Sequence, residues 1–349
     1  MHRWLRALAR PVRAGWRIVR RRGGTERSSA PVSPEAVRWA YRLLLDRDPE
    51  SQHVVDEKAR LPDIPSLRSA FLESDEFRGK NAGDSPATVS SDRNLLDVEV
   101  DVAPAERARL LALTTETWAA LGESDPHWSV LSDEQFRAAR IDESIDRFRD
   151  SGRGEVARHV RLLRSNGVDR SAILVVTEYG CGVGRVTRWL AEEFERVHAC
   201  DISASHLEHA RRYLREVGRD NVELHRIASL DTLTTLPKAD LVYTLLVLQH
   251  NPPPIIAATL RGLLDSLAPG GVALFQLPTY AERYRFAAGP YLEARARRRA
   301  DQPSIEMHLL PQRHVFRIVR EAGCEPLEVL EDRSAGPGFV SNTFLVRRP

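Results

Sequence analysis

Three glycines alternate at Gly180, Gly182 and Gly184, just after an acidic side chain, Glu178. They follow a β-branched apolar run (Ile173, Leu174, Val175, Val176) and precede a helical pattern in which Val186, Leu190 and Phe194 share one face. Strand, glycine turn and helix together present backbone N–H groups and a helix N-terminus to a ligand. The spacing is G-x-G-x-G. A dinucleotide fingerprint needs its third glycine at position 185, which is Arg185. Roughly twenty residues past the first glycine, a second run (Arg196 to Cys200) ends in Asp201, followed by Ile202 and Ser203. A carboxylate there is placed to accept hydrogen bonds from a ribose diol. Farther on, LLVLQHNPPP carries Gln249 and His250. An imidazole with its ordinary pKa near 6.5 can take a proton from a hydroxyl. His250 could equally cap the next helix or shape a pocket. His308, in EMHLLPQ, is a second histidine of this kind, or a surface residue at a helix start.

The stretch TEYGCGVGR resembles motif I of class I S-adenosylmethionine-dependent methyltransferases, acidic residue included. The resemblance implies S-adenosyl-L-methionine as cofactor. Glu178 would face its sulfonium and ammonium charges, and the backbone of Gly180, Cys181, Gly182 and Gly184 would approach its methionyl part, where no Cβ fits. Asp201 and Ile202 would hold the ribose, and Ser229, after the third strand, the adenine. Gln249 and His250 are then the polar groups nearest the transferred methyl, and His308 belongs to the acceptor pocket. Methyl transfer is a direct displacement, so the protein must align the acceptor and accept its proton. With His250 as that base, activity should fall at low pH with a group titrating near neutrality. Asn251-Pro252-Pro253 is similar to the N-P-P-[YF] motif of nucleic-acid amino-methyltransferases. Its fourth place is Pro254, which has no ring to stack on a flipped base, and no basic patch stands out in the folded part. A nucleic-acid partner is not expected.

From Ala172 onward strand and helix patterns alternate, as a doubly wound parallel sheet requires. Expected strands run from Val222 to Ile227, Ala239 to Val247 and Val272 to Leu277, with a helix from Ile255 to Leu267. A closing hairpin spans Pro326 to Asp332 and Phe339 to Arg347. Five parallel strands and a terminal antiparallel pair resemble the seven-stranded, Rossmann-like class I methyltransferase sheet. The fold class is therefore α/β, mostly parallel, preceded by a helical N-terminal region.

The expected organisation is a basic amphipathic or disordered tail and linker over 1–33, a small helical domain over 34–82, a linker over 83–93, a helical cap over 94–167 and the cofactor-binding domain over 168–349. In the tail, Arg3, Arg6, Arg10, Arg13, Arg17 and Arg20 would share a helix face, suited to an anionic lipid surface, although Pro11 would kink it. AYRLLLDRDPES and LRSAFLESDEFR resemble the ends of a helical domain found in bacterial surface-polysaccharide enzymes, without the tryptophan many members carry between them. Within the cap, Trp118, His127, Trp128 and Phe136 could form a lid or simply core.

Composition sets the remaining bounds. In 349 residues, 42% hydrophobic and 29% charged, Lys+Arg (51) nearly balances Asp+Glu (49). That is the composition of a globular chain. Cys181, Cys200 and Cys324 give neither a disulfide framework nor a metal-like spacing. No apolar run reaches the ~18 residues that span a bilayer, so a cytoplasmic setting is expected, with contact at the inner membrane face through residues 1–22 as an option. The expected activity is O-methylation of a sugar hydroxyl on a surface glycan or its precursor. The helical-domain resemblance and the insertion PTYAERYRFAAGPYLEARARRR, with Tyr280, Tyr284, Phe286 and Tyr291 among arginines, point that way. A soluble metabolite as acceptor, or a non-catalytic cofactor-binding module, are the alternatives.

Overall fold

The structure is a computed structural model that describes residues 32–74, 76–77, 95–297 and 304–349. The basic tail over 1–22 and the linker over 83–93 lie outside the described residues. The chain forms two compact units, one up to Thr88 and one from Val89 on.

In the first unit, helices α1 (Pro34–Leu45), α2 (Gln52–Lys58) and α3 (Ile64–Leu72) each start at a side-chain cap: Ser33, Ser51 and Asp63 accept hydrogen bonds from Ala36, Val54 and Ser66. Each cap satisfies one of the N–H groups that a helix start leaves without a partner. Val37, Tyr41, Leu45, Val55, Leu67 and Phe71 form their common core, with Tyr41 and Phe71 edge to face at 4.8 Å.

The second unit holds one seven-stranded sheet in the order β3-β2-β1-β4-β5-β7-β6. Its strands are β1 (Val175–Tyr179), β2 (Arg196–Asp201), β3 (Val222–Arg226), β4 (Ala239–Thr244), β5 (Leu267–Ala281), β6 (Glu325–Asp332) and β7 (Phe339–Arg347). Strands β1 to β5 pair in parallel, and β7 runs antiparallel to both β5 and β6. The helices are α4 (Pro104–Ser124), α5 (Pro126–Val130), α6 (Ile145–Ser165), α7 (Thr187–Glu193), α8 (Ala204–Glu216), α9 (Thr232–Thr235), α10 (Pro253–Asp265), α11 (Ala288–Ala296) and α12 (Gln312–Glu321). Leu260 and Leu263 of α10 and Val315 and Ile318 of α12 join one core, which takes in Val242 and Phe275 from the sheet. Val156 and Leu163 of α6 and Trp189 and Leu190 of α7 join the other, with Leu241, Tyr243 and Leu274. Alternate residues of β4 thus enter opposite cores, as the pleat requires. Among the described residues no helix is long and apolar enough to cross a membrane.

Several boundaries differ from the sequence reading. Strand β1 starts only at Val175 but continues through Thr177, Glu178 and Tyr179, because β2 and β4 pair with it on both sides. Strand β4 stops at Thr244, not Val247: Leu246 takes a left-handed φ of 59°, which no strand accommodates. Strand β5 begins at Leu267, where it meets Ala239, and runs on to Ala281 along β7. Helix α10 correspondingly spans Pro253–Asp265, with proline at its first turn.

Candidate active site

The strand order reverses between β1 and β4, and a crevice opens beyond their carboxyl ends, where open α/β sheets bind ligands. A cavity open at one side occupies this place, its empty space with the open solvent at its mouth about 850 Å³. Its wall comprises Glu178 to Gly182 from β1 and its turn, Asp201 and Ile202 from β2, and Leu245 to Val247 after β4. Trp118 of α4, Val130 of α5 and His250 close it from above.

The glycine turn has the backbone the spacing implies, with φ of 79° at Gly180 and 53° at Gly182. A Cβ at Gly180 would lie 2.3 Å from Val247 Cγ2, and one at Gly182 would lie 2.7 Å from Val130 Cγ2. Both positions therefore require glycine for conformation and for space. Gly184 also has positive φ, yet faces away from the cavity, with Ala210 of α8 3.4 Å from where its Cβ would stand. It is a packing glycine. Asp201 braces the turn: Oδ2 accepts from the Gly182 N–H at 2.8 Å and Oδ1 from the Ser203 N–H at 2.8 Å. Cys181 lies in the wall, its thiol pushed far up by burial and so not a nucleophile.

Glu178 is 4% exposed, and its Oε2 has no hydrogen-bond partner. Burial pushes its carboxyl up to about 7. An orphaned acceptor in a cavity wall is costly unless a ligand satisfies it, and a cationic group would do so. Arg185 stands nearby, 6% exposed, its Nη2 3.1 Å from Glu155 Oε2 on α6. Neither Glu155, Tyr243 nor His206 was singled out in the sequence, yet all three line the cavity. Only the packing of α6, β4 and α8 brings them there, and no local spacing announces it.

His250 lies at the cavity edge with the Trp118 ring 5.4 Å away. Its Nδ1 is 3.0 Å from the Glu306 carbonyl, which can only accept, so Nδ1 carries the proton and Nε2 keeps its lone pair. Burial pulls its pKa down to about 4, against a weaker upward pull from that carbonyl. The near-neutral titration expected from its ordinary pKa is thereby corrected. Gln249 is buried outside the cavity wall, with its amide nitrogen 3.4 Å from His250 Nε2 and its Oε1 unpartnered.

His308 is neither exposed nor at a helix start: it is 6% exposed, in extended chain before α12. Tyr284 Oη lies 2.9 Å from its Nδ1 and Glu306 Oε2 3.3 Å from its Nε2. It lines a separate cleft with Tyr284, Phe286 and Tyr291, outside the cofactor-sized cavity. Burial alone would raise the Glu306 carboxyl, but hydrogen bonds from His308 and Tyr291 and the Arg295 charge hold it down to about 2. Ser229 is exposed and also lies outside the cavity, where its carbonyl accepts from Thr232 N–H. Of the aromatic cluster, Trp118 reaches the cavity, whereas Phe136 packs on Phe148, His127 packs on Phe148 and His209, and Trp128 lies under Arg137.

A second and larger cleft, about 1670 Å³ with its open side, adjoins the cavity through Glu155, Leu245 and Leu246. Arg158, Arg161 and Arg164 of α6 line it opposite Asp332, Arg333 and Ser334 of the β6–β7 turn.

Residues 177–273 match a family model described as a methyltransferase domain. No curated protein matches the sequence. Similar solved structures include a magnesium protoporphyrin IX methyltransferase from Synechocystis with bound SAH, 18% identical, which covers 68% of this chain and 100% of its own at a TM-score of 0.47. An amino pentose methyltransferase from Micromonospora echinaspora, involved in calicheamicin biosynthesis and solved with SAM, is 18% identical over 60% of this chain and 97% of its own, with a TM-score of 0.43. An N-methyltransferase from Bradyrhizobium japonicum, solved with S-adenosyl-L-homocysteine, is 19% identical over 56% and 87%, with a TM-score of 0.39. At such identities the likeness concerns the fold alone. The family-model match and the sheet order place a methyltransferase domain of Rossmann-like fold in the second unit, with the glycine turn inside the matched residues.

Proposed function

We propose that this methyltransferase acts on a sugar hydroxyl of a surface glycan or its precursor, held in the arginine-bearing cleft that opens off the cofactor cavity. The observation that carries this reading is the shared wall: Glu155, Leu245 and Leu246 line both spaces, so an acceptor in the larger one would lie next to the cofactor cavity. Arg158, Arg161 and Arg164 favour an acceptor with acidic groups, such as a uronic acid or a phosphate-linked sugar. The likeness of the first unit's sequence to domains of polysaccharide enzymes supports the same class, as does a basic segment over 1–22 suited to an anionic membrane carrying lipid-linked precursors.

The cavity fits S-adenosylmethionine, which supplies an electrophilic methyl group when bound. The Glu178 Oε2, which has no hydrogen-bond partner, suits its ammonium, and Asp201 its ribose. The turn from Gly180 to Gly182 lines the cavity, with Val247 and Val130 packed against its glycines. His250, protonated on Nδ1, keeps a lone pair on Nε2 for the acceptor proton once the Gln249 amide 3.4 Å away gives up that contact, and the Trp118 ring lies 5.4 Å from it. Alignment of the acceptor supplies much of the rate.

Glycans from cells with and without the gene, compared by mass spectrometry, test the acceptor. Loss of a methylated sugar is expected, with methylation restored by the purified enzyme on the unmethylated glycan. Arg161→Glu should raise the acceptor KM by about tenfold, with cofactor affinity unchanged. Unchanged glycans beside an accumulating unmethylated small metabolite would overturn the glycan assignment. Absence of transfer to any acceptor, with cofactor still bound, would mark a non-catalytic module.

A further inference from the structure

Outside the cavity, the edge of the sheet carries a group of side chains that the methyl-transfer chemistry does not use. His198 of β2 pairs in register with Glu223 of the edge strand β3, and His225 follows two residues along β3 on the same face. His198 Nδ1 lies 3.0 Å from His225 Nε2 and 3.4 Å from Glu223 Oε2, and His225 Nε2 lies 3.6 Å from Glu223 Oε1. One ligand atom from each residue falls within 4.8 Å of the others. In a tetrahedral zinc site with bonds of about 2.05 Å, neighbouring ligand atoms stand roughly 3.3 Å apart. The His–His separation and the nearest His–carboxylate separations, measured to the two Glu223 oxygens in turn, bracket that value, so a small turn of the exposed carboxylate would bring one oxygen to both rings.

We propose that His198, Glu223 and His225 bind a divalent transition metal of the zinc class, clasping the edge strand to β2. The donor set is two imidazoles and one carboxylate, which leaves a fourth position for water. His198 is 2% exposed, so its ring is fixed by packing before any metal arrives, whereas the Glu223 side chain is 65% exposed and free to turn toward it. Each ring would offer the nitrogen now facing the other and carry its proton on its remaining nitrogen, so the one that donates in the His198–His225 hydrogen bond shifts tautomer. The site takes no residue from the cofactor cavity, although Asp201 ends the same strand.

The test is a titration of untagged full-length protein with Zn²⁺ against a chromophoric chelator, with Co²⁺ as a spectroscopic probe. One equivalent should bind, and Co²⁺ should give the intense visible bands of a tetrahedral centre. His225→Ala and Glu223→Gln, both at the accessible edge, should each weaken binding by an order of magnitude or more without loss of fold by circular dichroism. Zn²⁺ should also slow amide exchange in β3 of the wild type and not of His225→Ala. No binding by the wild type, or binding unchanged in both variants, would overturn the site and leave a His–His hydrogen bond in its place.

Discussion

Glu178 shows how a single side chain can serve a site at a cost to the fold. Its carboxyl is held at about 7 by burial, whereas the unfolded chain would release the proton near 4.3. Between those values the native state keeps a proton that the unfolded state has lost, so its contribution to stability falls as pH rises through that window and stays low above it. At 1.36 kcal/mol per pH unit the cost at pH 8 is on the order of 3 kcal/mol before relaxation. Glu178→Gln should therefore be about 1–3 kcal/mol more stable than wild type in urea at pH 8, with little difference at pH 4, while calorimetry shows cofactor binding weakened at least tenfold. Equal stability at both pH values would mean the carboxylate is satisfied within the protein. His250 makes the complementary case. Because burial holds it at about 4, it stays unprotonated throughout the neutral range. The turnover rate should stay flat from pH 8 to about 5 and fall only below that, and His250→Ala should lower kcat by roughly a hundredfold and abolish the acid limb. A limb centred near 6.5 would show an imidazole in contact with solvent.

At the scale of elements, the cap helices press on the cofactor turn through glycines. A Cβ at Gly152 of α6 would stand 2.6 Å from the Arg185 carbonyl oxygen, whereas one at Gly154, two residues along the same helix, would meet nothing within 4 Å. Alanine at either place gains roughly 1 kcal/mol of helix propensity. At Gly154 nothing opposes the gain, so Gly154→Ala should raise the melting temperature. At Gly152 the clash is with backbone, and overpacking of this kind costs roughly 1–3 kcal/mol or more. Gly152→Ala should lower it and disturb the glycine turn that ends just before Arg185. The same device recurs where Gly122 of α4 meets α8, its missing Cβ leaving room for Ser205 Oγ at 2.3 Å. Two identical substitutions in one helix with opposite signs would establish that α6 is seated by close approach; equal signs would refute it.

Over the whole molecule, buried histidines set the response to acid. His127, His159 and His250 are each pushed down to about 4 by burial, and the His159 ring nitrogen is tied to Tyr243 Oη at 2.8 Å. Unfolded, each would take up a proton near 6.5. Their contribution to stability is complete above 6.5 and is lost as pH falls from there to about 4, because the unfolded chain gains protons that the native state refuses. Glu178 works against this in the same window, one group against these three and against His198, His206, His209 and His314, which burial also lowers. Stability from urea unfolding should therefore fall steadily between pH 6.5 and 4.5. His159→Gln, which can still bond Tyr243, should reduce that slope by up to about 1.4 kcal/mol per pH unit. A slope unchanged by the substitution would assign the acid response elsewhere.

The sequence by itself determined what local chemistry can specify. The spacing G-x-G-x-G permits a turn of positive φ that other residues rarely adopt, and a strand before the turn with an acidic residue after the next strand follows from apolar periodicity and spacing. The same local signals pointed to a parallel sheet and a closing β6–β7 hairpin, while the strand order came from the fold. Tertiary structure decided what depends on residues far apart in the chain. Gly184 shares the spacing of Gly180 and Gly182, yet α8 rather than the cavity lies against it. His250 and His308 read alike in sequence, yet one meets the cavity and the other is locked between Tyr284 and Glu306. Glu155, His206 and Tyr243 reach the cavity from three separate elements, and His198 finds Glu223 and His225 only through strand pairing. Burial is what moves a carboxyl to about 7 or an imidazole to about 4, and burial is set by the packed neighbours on every side.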